Sequence, residues 1–231
     1  MDNILAFRHL ELYPKTWHHF AEGGKSMDFD GFSESDFNIF HIEGLLPRKR
    51  AIEDQIQPKF RAIGDRLTDD LSAMAGSEMH LHIARHARRT VNPPDDTWLA
   101  IAGNKRGYKK HPHFQIGLWD DRVFIWLAYI YELPRKPEIA RIFLEHMEEI
   151  EKLATDHFVI SLDHTKKDAT AIEHNDLKNA LERFRDVKKG EFLIGKQLFP
   201  NNPTLKNGDE FIQFAKNTFE KLVPLYRLSY Q

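Results

Sequence analysis

A change of hydrophobic period constrains this chain most. From residue 78 to 84 the sequence alternates, with Met79, Leu81 and Ile83 on one side and His80 and His82 on the other, as in a half-buried strand. The period of two returns at 113–119, where Phe114, Ile116 and Leu118 oppose His113, Gln115 and Gly117, and residues 98–102 read as a strand between them. Asp120-Asp121 makes a tight turn into 123–131, a run apolar on both faces and so expected to be central and covered on both sides. Consecutive strands joined by loops, with no helix between them, do not build βαβ units. Two later strands, at 158–162 and 191–199, bring the expectation to an α+β fold with a central, mostly antiparallel sheet of about six strands and helices packed on it.

The helices announce themselves by a different spacing. Ile52, Ile56, Phe60, Ile63 and Leu67 keep a helical period across Pro58, which should kink or split the helix, and Gly76 ends it. Ser33 with Asp36 reads as a capping box, Phe32 with Phe37 as a hydrophobic staple, and Pro47 as the first residue of the next helix. Further apolar stripes run through 139–153, 177–184 and 211–222. No repeat, low-complexity stretch or linker divides the chain, so a single domain is expected. Hydrophobic residues make up 41% and charged residues 29%, the balance of a globular rather than a disordered chain. The absence of cysteine excludes a disulfide scaffold, a cysteine nucleophile and a thiolate metal site. The longest clean apolar run, 123–131, is far short of the roughly 20 residues of a membrane helix. No membrane association and a cytoplasmic location are the expectations.

Residues 1–26 fit poorly with the rest of the chain: they show no clear period and end in Gly23-Gly24-Lys25-Ser26. The codons of Glu22-Gly23-Gly24 can spell a purine run complementary to bacterial ribosomal RNA, about seven nucleotides before the Met27 codon. Residues 1–26 are therefore expected to be a non-native leader or translated upstream sequence, and 27–231 the folded domain. Intact mass of the product of the native gene checks this, a product starting at Met1 being the contrary result.

The chemistry concentrates between residues 78 and 113. That segment holds seven Lys or Arg, three acids and five of the 13 histidines, an excess of four positive charges in a chain whose net charge is -2. Arg88 and Arg89 precede Asn92 and Pro93, while Lys105, Arg106 and Tyr108 surround Gly107. Guanidinium forks hold phosphate or carboxylate through paired hydrogen bonds, and glycine lets backbone N–H groups approach an anion. Trp98 and Tyr108 offer stacking surfaces. His82, His113 and Gln115 share a polar sheet face, with Ser161 and Gln197 as candidates to join it and His86 if the strand continues. The two H-x-H pairs, His80 with His82 and His111 with His113, could span a metal ion, but no carboxylate stands at matching spacing. No metal and no cofactor are expected: the chain contains no phosphate loop, dinucleotide fingerprint, nucleophile elbow or H-E-x-x-H motif. Asp163-His164 at a strand end could be an acid–base pair, though such pairs are usually a turn and its cap.

HARRTVNPPDDTW followed by NKRGYKKHPHFQIGLW resembles the YktB family of uncharacterised bacterial proteins, a domain of unknown function. SDFNIFHIEGL and LVPLYRLS carry the resemblance from about Phe32 to Ser229. The resemblance implies a single α+β domain, near biotin- and lipoate-ligases in shape, a likeness that carries no activity. Its motifs include His82, His86, Arg88, Arg89, Asn92, Pro93, Lys105, Arg106, Gly107, Tyr108, His113 and Gln115, but not His80 or His111.

The function expected is binding of an anionic small molecule, such as a nucleotide or acyl phosphate. Arg88, Arg89, Lys105 and Arg106 would hold the anion, Tyr108 would stack, and His82, His86, Asn92, His113 and Gln115 would complete the site. Single-stranded nucleic acid is the alternative, disfavoured because the rest of the chain is acidic; a non-catalytic interaction protein is the third option. Whether the protein is an enzyme is left open. If it is, His82, His86 or His113 would be the general acid–base, held neutral by neighbouring arginines.

Overall fold

The computed structural model describes residues 28–231 except Asn175, so the expected leader lies outside the described residues. Ser33 caps α1 (Glu34–Asn38), and its N–H donates to the Asp36 carboxylate at 2.7 Å, closing the capping box. Helix α2 (Leu45–Ala51) begins two residues before Pro47. As the third helical residue, Pro47 still falls where an amide has no intrahelical partner. Pro58 splits the long apolar stripe as expected. A π-helical turn, Ile52–Ile56, absorbs the missing amide before α3 (Gln57–Ala75) starts with Pro58 in its first turn. Gly76, at φ 75°, ends α3 in the left-handed conformation that glycine adopts without strain.

Seven strands form one sheet: β1 (His80–Ile83), β2 (Thr97–Ala102), β3 (His113–Leu118), β4 (Val123–Tyr129), β5 (Val159–Ser161), β6 (Thr170–Ala171) and β7 (Phe192–Leu198). Their order is β1-β2-β3-β4-β7-β5-β6 and each pairing is antiparallel. Strand β4 lies in the middle and is buried at each residue, as its two-sided apolarity requires. The extra strand is β6, two residues long and too short to show a period.

Four helices build the thick side of the molecule: α3, α4 (Lys136–Glu145), α6 (Leu177–Asp186) and α7 (Gly208–Leu228). The short α5 (Met147–Glu151) continues α4. The Phe114 ring of β3 meets Phe219 and Tyr226 of α7 at 5.0 and 5.1 Å. The Tyr129 ring of β4 meets Phe143 of α4 at 5.1 Å and Phe184 of α6 at 6.2 Å. The opposite face is covered differently. Phe124, Trp126, Ala128 and Leu193 cluster there with Trp119, Ile130 and Trp98, with no helical residue among them. Small residues make room for these rings: a side chain at Gly195 would strike the Ile125 carbonyl and come within 2.8 Å of the Trp126 ring. This second face, roofed by loops, carries the polar residues of the alternating strands.

Candidate anion-binding cleft

Strand register places His82, His113, Gln115, Ser161 and Gln197 on the helix-free face, as alternation anticipated. They do not converge. Gln197 lies at the far end, tied to the Lys167 carbonyl and to Arg122. Ser161 donates to the Asp163 carbonyl at 3.3 Å.

A tighter group forms around Trp98 and Tyr108. Trp98 Nε1–H donates to the Tyr108 hydroxyl at 2.8 Å. The Tyr108 ring stands edge-on to His113 at 4.8 Å and lies 5.5 Å from His82, while His86 stands edge-on to Trp98 at 5.6 Å. His86 occupies the left-handed region at φ 48°, unusual for a non-glycine residue, and its Nε2 lies 3.1 Å from Thr97 Oγ1. The three histidines proposed as acid–base groups are thus gathered by two aromatic rings. Burial is the first reason each holds its proton less readily than usual: His86 and His113 fall to about 4, and His82 is lowered too. Arginine is the lesser cause, and only at His86, where Arg89 and Lys49 add repulsion. His113 is fully buried. Its Nδ1–H donates to the His111 carbonyl at 2.9 Å, which leaves Nε2 as a lone-pair acceptor with no partner among the described residues.

Sequence reasoning gave no role to two carboxylates beside this group, Glu191 and Asp96, and read Asp163-His164 as more often a turn and its cap than an acid–base pair. Glu191 is buried and accepts from the backbone N–H of His164 at 2.7 Å, from His164 Nδ1 at 2.8 Å and from the Tyr131 N–H at 3.2 Å. Burial opposes charge on His164, but Glu191, Asp163 and Asp96 outweigh it, and His164 binds its proton more tightly than usual. Asp96, also buried, is raised to about 6 by desolvation against the pull of Arg89 and His164. Asp163 is the turn cap that was expected, its carboxylate accepting from the Thr165 N–H and hydroxyl. Asp163, His164 and Glu191 stand close enough to share an ion. However, Glu191 and His164 already satisfy each other and Asp163 is engaged by Thr165, so the group is complete as a hydrogen-bonded network. The available signal was a lone carboxylate opening the apolar strand at 191–194.

The open feature lies next to the aromatic group. A cleft of about 760 Å³ is lined by residues 81–83, 85, 104–111 and 132. Lys105, Arg106 and Tyr108 line it as the sequence suggested, with His82, and Arg85, Lys109 and Lys110 add three more cations. The Asn104 side chain accepts the Arg106 N–H at 2.9 Å, which shapes the basic loop, and the Asn104 carbonyl binds His82 Nε2 at 2.9 Å. Glu132 is the only acid among the described residues of the wall, and Lys109 pairs with it at 3.3 Å. Arg88, Arg89 and Asn92 do not reach the cleft: they are exposed on the loop before β2, where Arg89 donates to the Pro93 carbonyl. His86, His113 and Gln115 also lie outside its walls, His113 and Gln115 being buried.

No described helix is long and apolar enough to cross a membrane. The chain matches the family described as Domain of unknown function (DUF1054) over residues 32–226. It is 59% identical over 201 residues to the UPF0637 protein OB1420 of Oceanobacillus iheyensis, covering 87% of this chain and 97% of that protein. It is 55% identical over 203 residues to the UPF0637 protein ABC2405 of Shouchella clausii, covering 88% and 96%. It is 53% identical over 205 residues to a UPF0637 protein of Listeria monocytogenes, covering 89% and 100%. These names state no activity. With matches of this extent along one continuous sheet-and-helix fold, the chain belongs to the DUF1054 family of UPF0637, YktB-like bacterial proteins.

Proposed function

We propose that this protein binds an anionic small molecule in the cleft between β1 and the basic loop, and does so in the cytoplasm. The observation that carries the proposal is the composition of the wall: five cations against one carboxylate, in a volume suited to a small ligand. Arg85, Lys105, Arg106 and Lys110 form no ion pair with a described residue. Nucleotides and acyl phosphates are the first probes. Single-stranded nucleic acid fits less well, because Tyr108 and Trp98, the rings on which bases would stack, are hydrogen-bonded to each other and packed against imidazoles.

Thermal-shift titration with ADP, acetyl phosphate and pyrophosphate tests the proposal. A ligand at a hundred times its dissociation constant adds about 2.7 kcal/mol of stability. The double variant Lys105→Ala/Arg106→Ala should lose the shift, whereas Arg88→Ala, outside the cleft, should keep it. If no anion stabilises the protein, or if both variants respond alike, the cleft is not an anion site.

A further inference from the structure

The cleft runs along a sheet edge that no described strand pairs. Among the described residues strand β1 pairs only with β2, and its register sets His80, His82 and Ala84 opposite Ala102, Ala100 and Trp98. The Ala84 N–H donates to the Trp98 carbonyl at 2.9 Å. That bond fixes the parity: the N–H and C=O groups of His80 and His82 and the Ala84 N–H point to β2, the Ala84 carbonyl accepts from Gln57 Nε2 at 3.2 Å, and the groups of Leu81 and Ile83 point away from β2. No described residue meets these outward groups. The Leu81 side chain is spent elsewhere, against Gly64 of α3, where even an added methyl would strike it. Leu81 and Ile83 therefore offer the cleft a main-chain edge, and the basic loop rises beside it on the histidine face.

We propose that the ligand of the cleft is an acidic peptide segment, bound in extended form as an additional antiparallel strand on β1. This rests on the cleft being an anion site and names the class of anion. Strand addition supplies main-chain hydrogen bonds at Leu81 and Ile83. Residues opposite those two point to the α3 side, beside the partly buried Leu81 and Ile83, and are apolar. Residues between them point to the side of Arg85, Lys105, Arg106, Lys109 and Lys110, and are acidic. The recognised pattern alternates carboxylate and aliphatic side chains. A second copy of this chain is a poor occupant, since pairing β1 with β1 would bring two sets of five cations together; like charges on an exposed edge discourage such pairing.

The test uses the full chain and three peptides of equal charge, followed by calorimetry at low salt: Ac-Glu-Val-Glu-Val-Glu-NH2, the same peptide N-methylated at both valines, and the same peptide N-methylated at the second and third glutamates. The valine amides face β1 and the glutamate amides face solvent. The parent should bind, methylation at valine should weaken binding at least tenfold, methylation at glutamate should leave it within about threefold, and Lys105→Ala/Arg106→Ala should abolish it. Equal behaviour of the two methylated peptides, both bound or both lost, overturns strand addition. So does binding of pyrophosphate without the parent peptide, although the anion site then survives. Binding of neither removes strand addition, and the anion site falls with it when ADP and acetyl phosphate also fail to bind.

Discussion

His113 places an imidazole where water does not reach, so its neutral form is favoured by the fold. Its proton affinity is about 6.5 in an unfolded chain and falls to about 4 here. The sign follows from linkage: the unfolded state takes up a proton that the folded state refuses, so stability present above pH 6.5 is lost as the pH falls toward 4. The loss attributable to this fully buried group is about 3 kcal/mol. His113→Gln should flatten that acid limb, measured as the urea midpoint at pH 7 and pH 4.5; an unchanged limb would show that His113 does not titrate as its burial requires. His164 works in the opposite direction. Its proton is held more tightly in the fold, so its pairing with Glu191 contributes fully below pH 6.5 and fades as the pH rises through the raised value. The sequence suggested a neutral His113, but from arginine repulsion; burial as the cause, and the opposite shift of His164, depend on what the sheet and loops place around each ring.

Between elements, the helix-free face of the sheet depends on small residues beneath large ones. At Gly195 of β7 an added methyl meets the Ile125 carbonyl and the Trp126 ring, and a central-strand backbone cannot move aside. Gly195→Ala should cost about 3 kcal/mol or more, the range of severe overpacking. Gly107 is the contrast: a methyl there meets nothing within 4 Å, and Gly107→Ala should change stability by less than about 0.5 kcal/mol. Urea denaturation of the two variants decides this, and equal effects would contradict the packing described. Local signals such as Ser33 with Asp36, Pro58 and Gly76 could be placed from sequence because each acts within a few residues. Gly195 could not, since its constraint comes from Ile125 and Trp126 on the neighbouring strand.

Across the whole molecule, protection should follow the order of the sheet. Strands β3 and β4 are buried at each residue and paired on both sides, so their amides should exchange with solvent deuterium last. On β1 the His82 amide, pointing to β2, should be protected while those of Leu81 and Ile83 exchange early; uniform protection along β1 would mean that its edge is covered. By itself the sequence determined the α+β class, the single-domain expectation, the antiparallel tendency and the faces of the strands, because periods of two and 3.6 report which side of each element meets the core. It also marked the basic loop, since charge excess and glycine are local properties. Tertiary structure alone decided that Lys105, Arg106 and Tyr108 share a cleft with Arg85 while Arg88, Arg89 and Asn92 do not. It alone brought Glu191 to His164 across 27 residues of chain. Strand order, loop path and the place of β1 at the edge of the described sheet arise from contacts between distant segments, and alternation along one segment contains no information about its neighbours.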